Sequence, residues 1–302
     1  MTQAPRSGHA GRVISVGRLY CDLIFTGLPK MPTLGEEVFA GGLSLTPGGG
    51  AFITAAYVAA LGRPVSLASA LPSGLFAEAL MPELTASGVD LSASQPTSAA
   101  LDPQITVAMA SGVERAFLTR RSGPAVPPGF AAALATGRFA HLHIGELATL
   151  VEEPSLVPLA RAAGMTVSLD CSWDDAVLAR DDLAALIASV DIFLPNETEA
   201  DRLGISSSAP PPAPLTVVKR GAHGSVALSA EGAVFVKARP VEVIDSTGAG
   251  DAFNAGFIDA WLSGLPVERC LRAGNRCGAE AVTRIGGATE LPDLAALLAK
   301  RA

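Results

Sequence analysis

The chain has 302 residues, 49% of them hydrophobic and 17% charged, so it has the material for a large buried core. Its formal net charge is −7. An acidic chain is a poor match for a phosphate backbone, so nucleic acid is not an expected partner and any bound anion must be held by local features.

The first eleven residues, within MTQAPRSGHAGR, lack the apolar core of a signal peptide and read as a flexible tail. No run of 18 apolar residues is free of charges and turn residues, so the protein is expected to be cytoplasmic, with no membrane partner. Cys21, Cys171, Cys270 and Cys277 form no CxxC pair and read as buried free thiols. His141, His143 and His223 lack carboxylates at a metal-ligand spacing.

From residue 12 to 302 the chain reads as one domain. Short apolar runs at 13–17, 65–70, 139–144, 165–170, 190–195 and 215–219 alternate with Ala- and Leu-rich stretches of helical period, such as Phe52–Leu61, Leu75–Ala86 and Asp181–Ala188. That alternation predicts a parallel sheet covered by helices on both faces. Two segments break it. Residues 22–47 and 104–120 alternate in polarity without intervening helices, the second around a Ser-Gly turn, and predict a small antiparallel sheet that serves as a lid. The Pro-rich stretch 206–214 predicts a surface loop.

The segment DSTGAGDAFNAGFIDAWL (245–262) carries the most chemistry. Gly248, Ala249 and Gly250 precede a helix whose first N–H groups have no partner within the helix. Without bulky side chains in front of them, these donors can approach a phosphate or a developing oxyanion. Asp251 in the first turn can take the proton of an attacking hydroxyl. No GxxxxGK[ST] loop is present. The string DSTGAGDAF closely resembles the C-terminal signature of the ribokinase-like (PfkB) family of carbohydrate kinases.

The resemblance continues along the chain. GGLSLTPGGGAFITAAYVAALG (41–62) resembles the family's first signature, with Gly48 and Gly49 as its paired glycines. Asp22 matches the family's substrate aspartate, and Glu146 lies where some members place a second substrate carboxylate. Asn196 and Glu199 match a motif that organises magnesium and its waters beside the ATP phosphates. In VVKRGAHGS (217–225), Lys219 takes a place often held by threonine, and Gly221 and Gly224 form the ATP-side turn. Asn275 matches a position near adenine.

The resemblance spans about residues 12–292 and implies a three-layer α/β/α fold with a β lid. It also implies transfer of the γ-phosphoryl group of ATP, with Mg2+, to a hydroxyl of a sugar or sugar-like molecule. Pairing of two subunits through the lid is a further implication. So is a potassium site formed at Asp245, Thr247, Ala281, Arg284 and Gly286, with Glu290 in place of a nearby side-chain ligand.

Two departures bear on the substrate. Ile53 stands where most sugar-specific relatives carry an asparagine that hydrogen-bonds the substrate, which weakens an assignment to ribose. DCSWDD (170–175) lacks the arginine of an Asp-x-Asn-x-Arg string found in some relatives. A nucleoside kinase of the same family, with a nucleoside as substrate, remains an alternative, as does a catalytically silent sensor. The intact GAGD argues for catalysis.

Overall fold

The computed structural model describes residues 11–98, 103–111 and 114–299. Apart from Gly11, the expected tail lies outside them, as do Gly112 of the expected turn and the last three residues of the expected domain. In chain order the elements begin with β1 (Val13–Val16), β2 (Tyr20–Thr26), β3 (Gly42–Gly48), α1 (Gly50–Ala60), β4 (Val65–Ala68), β5 (Ala70–Leu71), α2 (Gly74–Ala86) and β6 (Gln95–Pro96). Next come β7 (Ile105–Ser111), β8 (Glu114–Arg120), α3 (Phe130–Leu134), β9 (His141–Ile144), α4 (Leu147–Glu152), α5 (Leu156–Ala162), β10 (Thr166–Asp170), α6 (Asp175–Leu178), α7 (Leu183–Ala188) and β11 (Ile192–Leu194). The chain closes with α8 (Glu197–Arg202), β12 (Leu215–Lys219), β13 (Ser225–Ser229), β14 (Gly232–Val236), α9 (Ala249–Leu262), α10 (Val267–Ala281) and α11 (Leu294–Ala299).

The main sheet runs β14-β13-β12-β11-β10-β9-β1-β4. Its strands from β12 to β4 are parallel, and β13 and β14 close one edge antiparallel. Alternate residues of β1, β4 and β11 feed two cores. Val13, Leu67 and Ile192 join the core under α1, α2, α9 and α10, whereas Ile14, Ala68 and Phe193 join the core under α3 to α7. This is the three-layer arrangement that near-continuous apolar strands require. All four cysteines are free and buried. The stretch 206–214 carries neither helix nor strand, and among the described residues no helix is long and apolar enough to cross a membrane.

The second sheet, β3-β2-β7-β8, corrects one expectation. Its outer pairs are antiparallel, but β2 and β7 pair in parallel, Cys21 beside Ile105 through Phe25 beside Met109. The reason is where the strands begin. β2/β3 and β7/β8 are each hairpin-like, but β2 and β7 both leave the body at the same hinge and so run the same way.

Arg18 holds that hinge. It is 5% exposed, and its Nη1 donates to Gln104 Oε1 at 2.8 Å, just before β7, and to the carbonyl of Gly123 at 2.8 Å, just after β8. Its Nη2 donates to Glu152 Oε2 on α4 at 2.7 Å. One buried guanidinium therefore ties three chain crossings of the second sheet to the body.

Candidate active site

The C-terminal ends of the parallel strands and the starts of α1 and α9 open into one cavity of about 1290 Å3. This is where open α/β sheets bind ligands, and a single small ligand occupies about 300–1,000 Å3, so a nucleotide and a second molecule fit together. Every candidate site residue from the sequence lines it except Gly48, Asp245, Ala281, Arg284, Gly286 and Glu290.

Neither long helix facing the cavity carries a side-chain cap. The N-cap of α1 is Gly49 and that of α9 is Gly248, both at positive φ, 96° and 71°. Serine, threonine or aspartate at those positions would satisfy the first N–H groups. Glycine leaves them open to an anion. The helix starts also press on backbone. A Cβ on Gly50 would sit 2.5 Å from the Gly145 carbonyl and 3.0 Å from Asp251 Oδ1, and one on Gly248 would sit 2.9 Å from the Gly287 Cα. The glycines thus bring the two helix starts, and Asp22 on β2, to one point. Asp22 lies over Gly48, where a Cβ would sit 1.9 Å from its Oδ2.

Lys219, at the end of β12, enters this acidic pocket. Its Nζ donates to Asp170 Oδ1 at 2.8 Å and to Asn254 Oδ1 at 3.2 Å, and Asn254 Nδ2 donates to Asp170 Oδ2 at 2.7 Å. Asp170 and Asn254 are buried, and the triangle places the ammonium 3.4 Å from where a Gly250 Cβ would be. Burial works against the charge of Lys219, and Asp170 and Glu199 more than offset it, so the group stays an ammonium. Asp170 and Asn254 were not singled out from the sequence. The signals were present: Asp170 ends a parallel strand, and Asn254 lies three residues after Asp251, on one helical face.

Burial, and next the charge of Asp170, push the Asp251 carboxyl up to about 7, with Lys219 pulling the other way. Burial likewise pushes Asp22 up to about 7, against a hydrogen bond from Thr106. Glu199 also rises to about 7, through burial and Asp170. Its Oε2 accepts from the Asn196 N–H at 2.7 Å, and Asn196 Oδ1 accepts from the Glu199 N–H at 2.9 Å. Asn196 and Glu199 therefore form a capping box on α8 and line the cavity at once.

At the end of the cavity beside β12 and α10, a Cβ on Gly224 would lie 2.1 Å from the Val236 carbonyl, which also accepts from Asn275 Nδ2 at 3.1 Å. Gly221, Arg239, Val241 and Val243 line this end. Behind the α9 loop, Asp245 accepts from the N–H groups of Thr247 at 2.7 Å and Gly286 at 2.9 Å. The Ala281 carbonyl accepts from the Arg284 N–H at 3.2 Å. Those five positions are therefore brought together. Ile53 is 4% exposed and fills the notch between Gly248 and Gly287. His141 and His143 lie in the core, both ring nitrogens of His141 bonded to Thr166 and Ser168 and Nδ1 of His143 bonded to Ser168.

A model of the pfkB family of carbohydrate kinases matches residues 11–294. The chain belongs to this family. It is 25% identical to a ribokinase of Bacillus subtilis over 291 residues, 92% of this chain and 94% of that protein. It is 32% identical to an uncharacterized sugar kinase of Archaeoglobus fulgidus over 134 residues, 42% of this chain and 54% of that one. Several of its curated relatives are, like this second one, matched over only about half their length. The Arabidopsis thaliana ribokinase solved with ribose and ATP superposes with a TM-score of 0.78 at 20% identity, over 96% of this chain and 98% of that one. At that identity the likeness shows the ribokinase-like fold.

The charge arrangement sets a pH dependence. If Asp251 must be ionised to act, kcat/KM falls as pH drops through about 7. Removing the Lys219 cation leaves Asp251 among carboxylates only, which raises its pKa. In Lys219→Met the acid limb should move up by about one unit or more. A limb that stays in place in this variant would show that Lys219 does not act on Asp251.

Proposed function

We propose that this protein transfers the γ-phosphoryl group of ATP to a hydroxyl of a sugar or sugar-like molecule, with Asp251 as general base. The supporting observation is the meeting of Asp251, Lys219 and the uncapped start of α9 at one end of a cavity that also holds Asp22 and Glu146. Asp22 and Glu146 accept hydrogen bonds from substrate hydroxyls. Asp251 takes the proton of the reacting hydroxyl as its oxygen bonds to the γ-phosphorus. The bond from that phosphorus to the β-γ bridging oxygen breaks, and its electron pair leaves with ADP. The N–H groups of Gly248, Ala249 and Gly250, together with Lys219, face the charge on the transferring group.

Mg2+ would be held here largely through water, with Glu199 supplying a carboxylate to its waters and Asn196 positioning Glu199. When bound, that ion neutralises phosphate charge; a structural neighbour from Escherichia coli was solved with ATP and Mg2+. Lys219, Gly221, Gly224 and Asn275 hold the nucleotide. The second sheet serves as the lid, and the exposed Leu43 and Leu118 on it, with Leu34 and Phe39 on the loop that joins β2 to β3, support pairing with a second copy there. A nucleoside as substrate is the second reading: a nucleoside kinase of Methanothermobacter thermautotrophicus is among the relatives, and Trp173 and Phe117 are apolar surfaces exposed in the cavity.

Asp251→Asn keeps size and removes proton acceptance. Turnover with the best acceptor should fall about 100- to 10,000-fold while ATP binding survives. Near-normal turnover would mean that another group is the base. Through the carbonyls at Asp245, Thr247, Ala281, Arg284 and Gly286, potassium should raise the rate modestly. Equal rates in potassium, sodium and a bulky organic cation at one ionic strength would contradict this.

Ile53 offers no hydrogen bond, so a hydroxyl pressed against it loses about 1–3 kcal/mol, roughly 5- to 150-fold in kcat/KM. Ribose should be a poor substrate, and Ile53→Asn should improve its use relative to a deoxy analogue. Efficient ribose phosphorylation by the unaltered protein would show that the contact does not matter.

A further inference from the structure

The far end of the cavity, beyond Asp22, carries an arginine whose partners limit what it can bind. Arg121 follows β8 and lines the cavity. Its Nη1 donates to Asp174, its Nε donates to the Tyr20 hydroxyl at 3.3 Å, and its Nη2 lies 3.9 Å from Glu146 Oε2 without a hydrogen bond. A guanidinium recognises a carboxylate or phosphate through two adjacent N–H groups that form a fork. Here Asp174 takes the Nη1 prong of the end-on fork and Tyr20 the Nε prong of the side-on fork, so neither two-pronged face is open, and Nη2 alone is left for a ligand. Arg18 supplies no substitute, since it is buried against Gln104, Gly123 and Glu152 and does not line the cavity.

We propose, building on the kinase reading, that Asp174 is a specificity-determining residue: it holds Arg121 so that this subsite rejects anionic groups and takes an uncharged hydroxyl of a neutral sugar. Asp22, Glu146 and Asp174 put three carboxylates on the cavity wall with Arg121, and Arg18 stands behind Glu146, its Nε 3.8 Å from Glu146 Oε1. A sugar phosphate or sugar acid placed there must displace Asp174 and face Glu146, a like-charge arrangement that costs affinity steeply in a pocket this shielded. A hydroxyl has the opposite fit. It donates to Glu146 Oε2 and accepts from Arg121 Nη2, and a gap of 3.9 Å leaves room for one oxygen within about 2.8 Å of both. Glu146 is a nine-tenths buried carboxylate whose Oε2 accepts no hydrogen bond from the described residues, so it gains most from such a donor.

The fold fixes Asp174 independently of any ligand. It is the N-cap of α6, and its Oδ1 accepts from the N–H groups of Ala176 and Val177 at 3.0 and 3.1 Å. The Oδ2 atom is the one that faces Arg121. The two oxygens have separate jobs, so Asp174→Asn can keep the cap through Oδ1 and turn an amide N–H toward Arg121. That substitution releases the guanidinium without undoing the helix start. Asp174 stands where some relatives carry the arginine of an Asp-x-Asn-x-Arg string, so the charge at this position is inverted.

The test compares neutral and anionic members of matched pairs: ribose with ribonate, glucose with gluconate, and fructose with fructose 6-phosphate. Binding is measured by calorimetry and turnover by ADP release, for the unaltered protein, Asp174→Asn and Asp174→Asn/Arg121→Met. The unaltered protein should favour the neutral member of each pair it uses by about tenfold or more. Asp174→Asn should narrow that preference by about tenfold, and adding Arg121→Met should abolish the gain. Preference of the unaltered protein for an acid or phosphate, or an unchanged ratio in Asp174→Asn, would overturn the proposal even if the protein is a kinase. Absence of ADP release with every acceptor would instead overturn the kinase reading, and calorimetry would still report the charge preference. Should Asp174→Asn not fold, the preference of the unaltered protein decides.

Discussion

Two helices that lack capping side chains must start at the same place, and the rest of the site depends on that constraint. α1 and α9 come from opposite ends of the chain, yet Gly50 lies against the Gly145 backbone and Asp251, and Gly248 against Gly287. A single Cβ at Gly50 would collide with the strand-end carbonyl that passes in front of α1. Removing side chains there costs conformational entropy and leaves helix N–H groups unpaired. In return, backbone donors and a carboxylate face one small volume. Asp22 reaches the same volume from the second sheet, so a molecule held by Asp22 is presented to Asp251.

The converging carboxylates would repel each other without a cation. Lys219 supplies one, fixed by Asp170 and Asn254 rather than left mobile. A charge held in place needs little reorganisation when a phosphoryl group is transferred, which is where fixed dipoles and charges contribute most to catalysis. The same logic recurs at the far end, where Asp174 and Tyr20 fix Arg121. Lys219 and Arg121 are thus two cations of the cavity held in unlike settings. Lys219 faces the α9 loop, where the proposed reaction develops phosphate charge, and Arg121 is quenched by Asp174 at the end proposed for the acceptor.

Much of this was legible in the residues. Alternating strands and helices gave the layers, and DSTGAGDAF located the α9 loop and Asp251. The second sheet was visible as polarity alternation at 22–47 and 104–120, but its central parallel pair was not. Pairing direction follows from where strands leave the body, and that depends on the distant contacts of Arg18 with Gln104, Gly123 and Glu152. Asp170 and Asn254 were missed because each alone reads as an ordinary strand-end or helix residue; only the fold brings them to Lys219. The doubled role of Asn196 and Glu199 was equally hidden. A capping box and a cavity wall leave the same sequence pattern, and both descriptions hold.

The central claim is that these groups act together on one phosphoryl group and deliver it to a neutral acceptor. Phosphorus NMR of ATP, Mg2+ and a neutral sugar incubated with the protein reads the fate of that group directly. The account expects a phosphate-monoester resonance that grows in step with ADP, with little free orthophosphate. ADP accompanied by orthophosphate alone, across a range of neutral sugars and nucleosides, would contradict it, because the site would then pass the group to water.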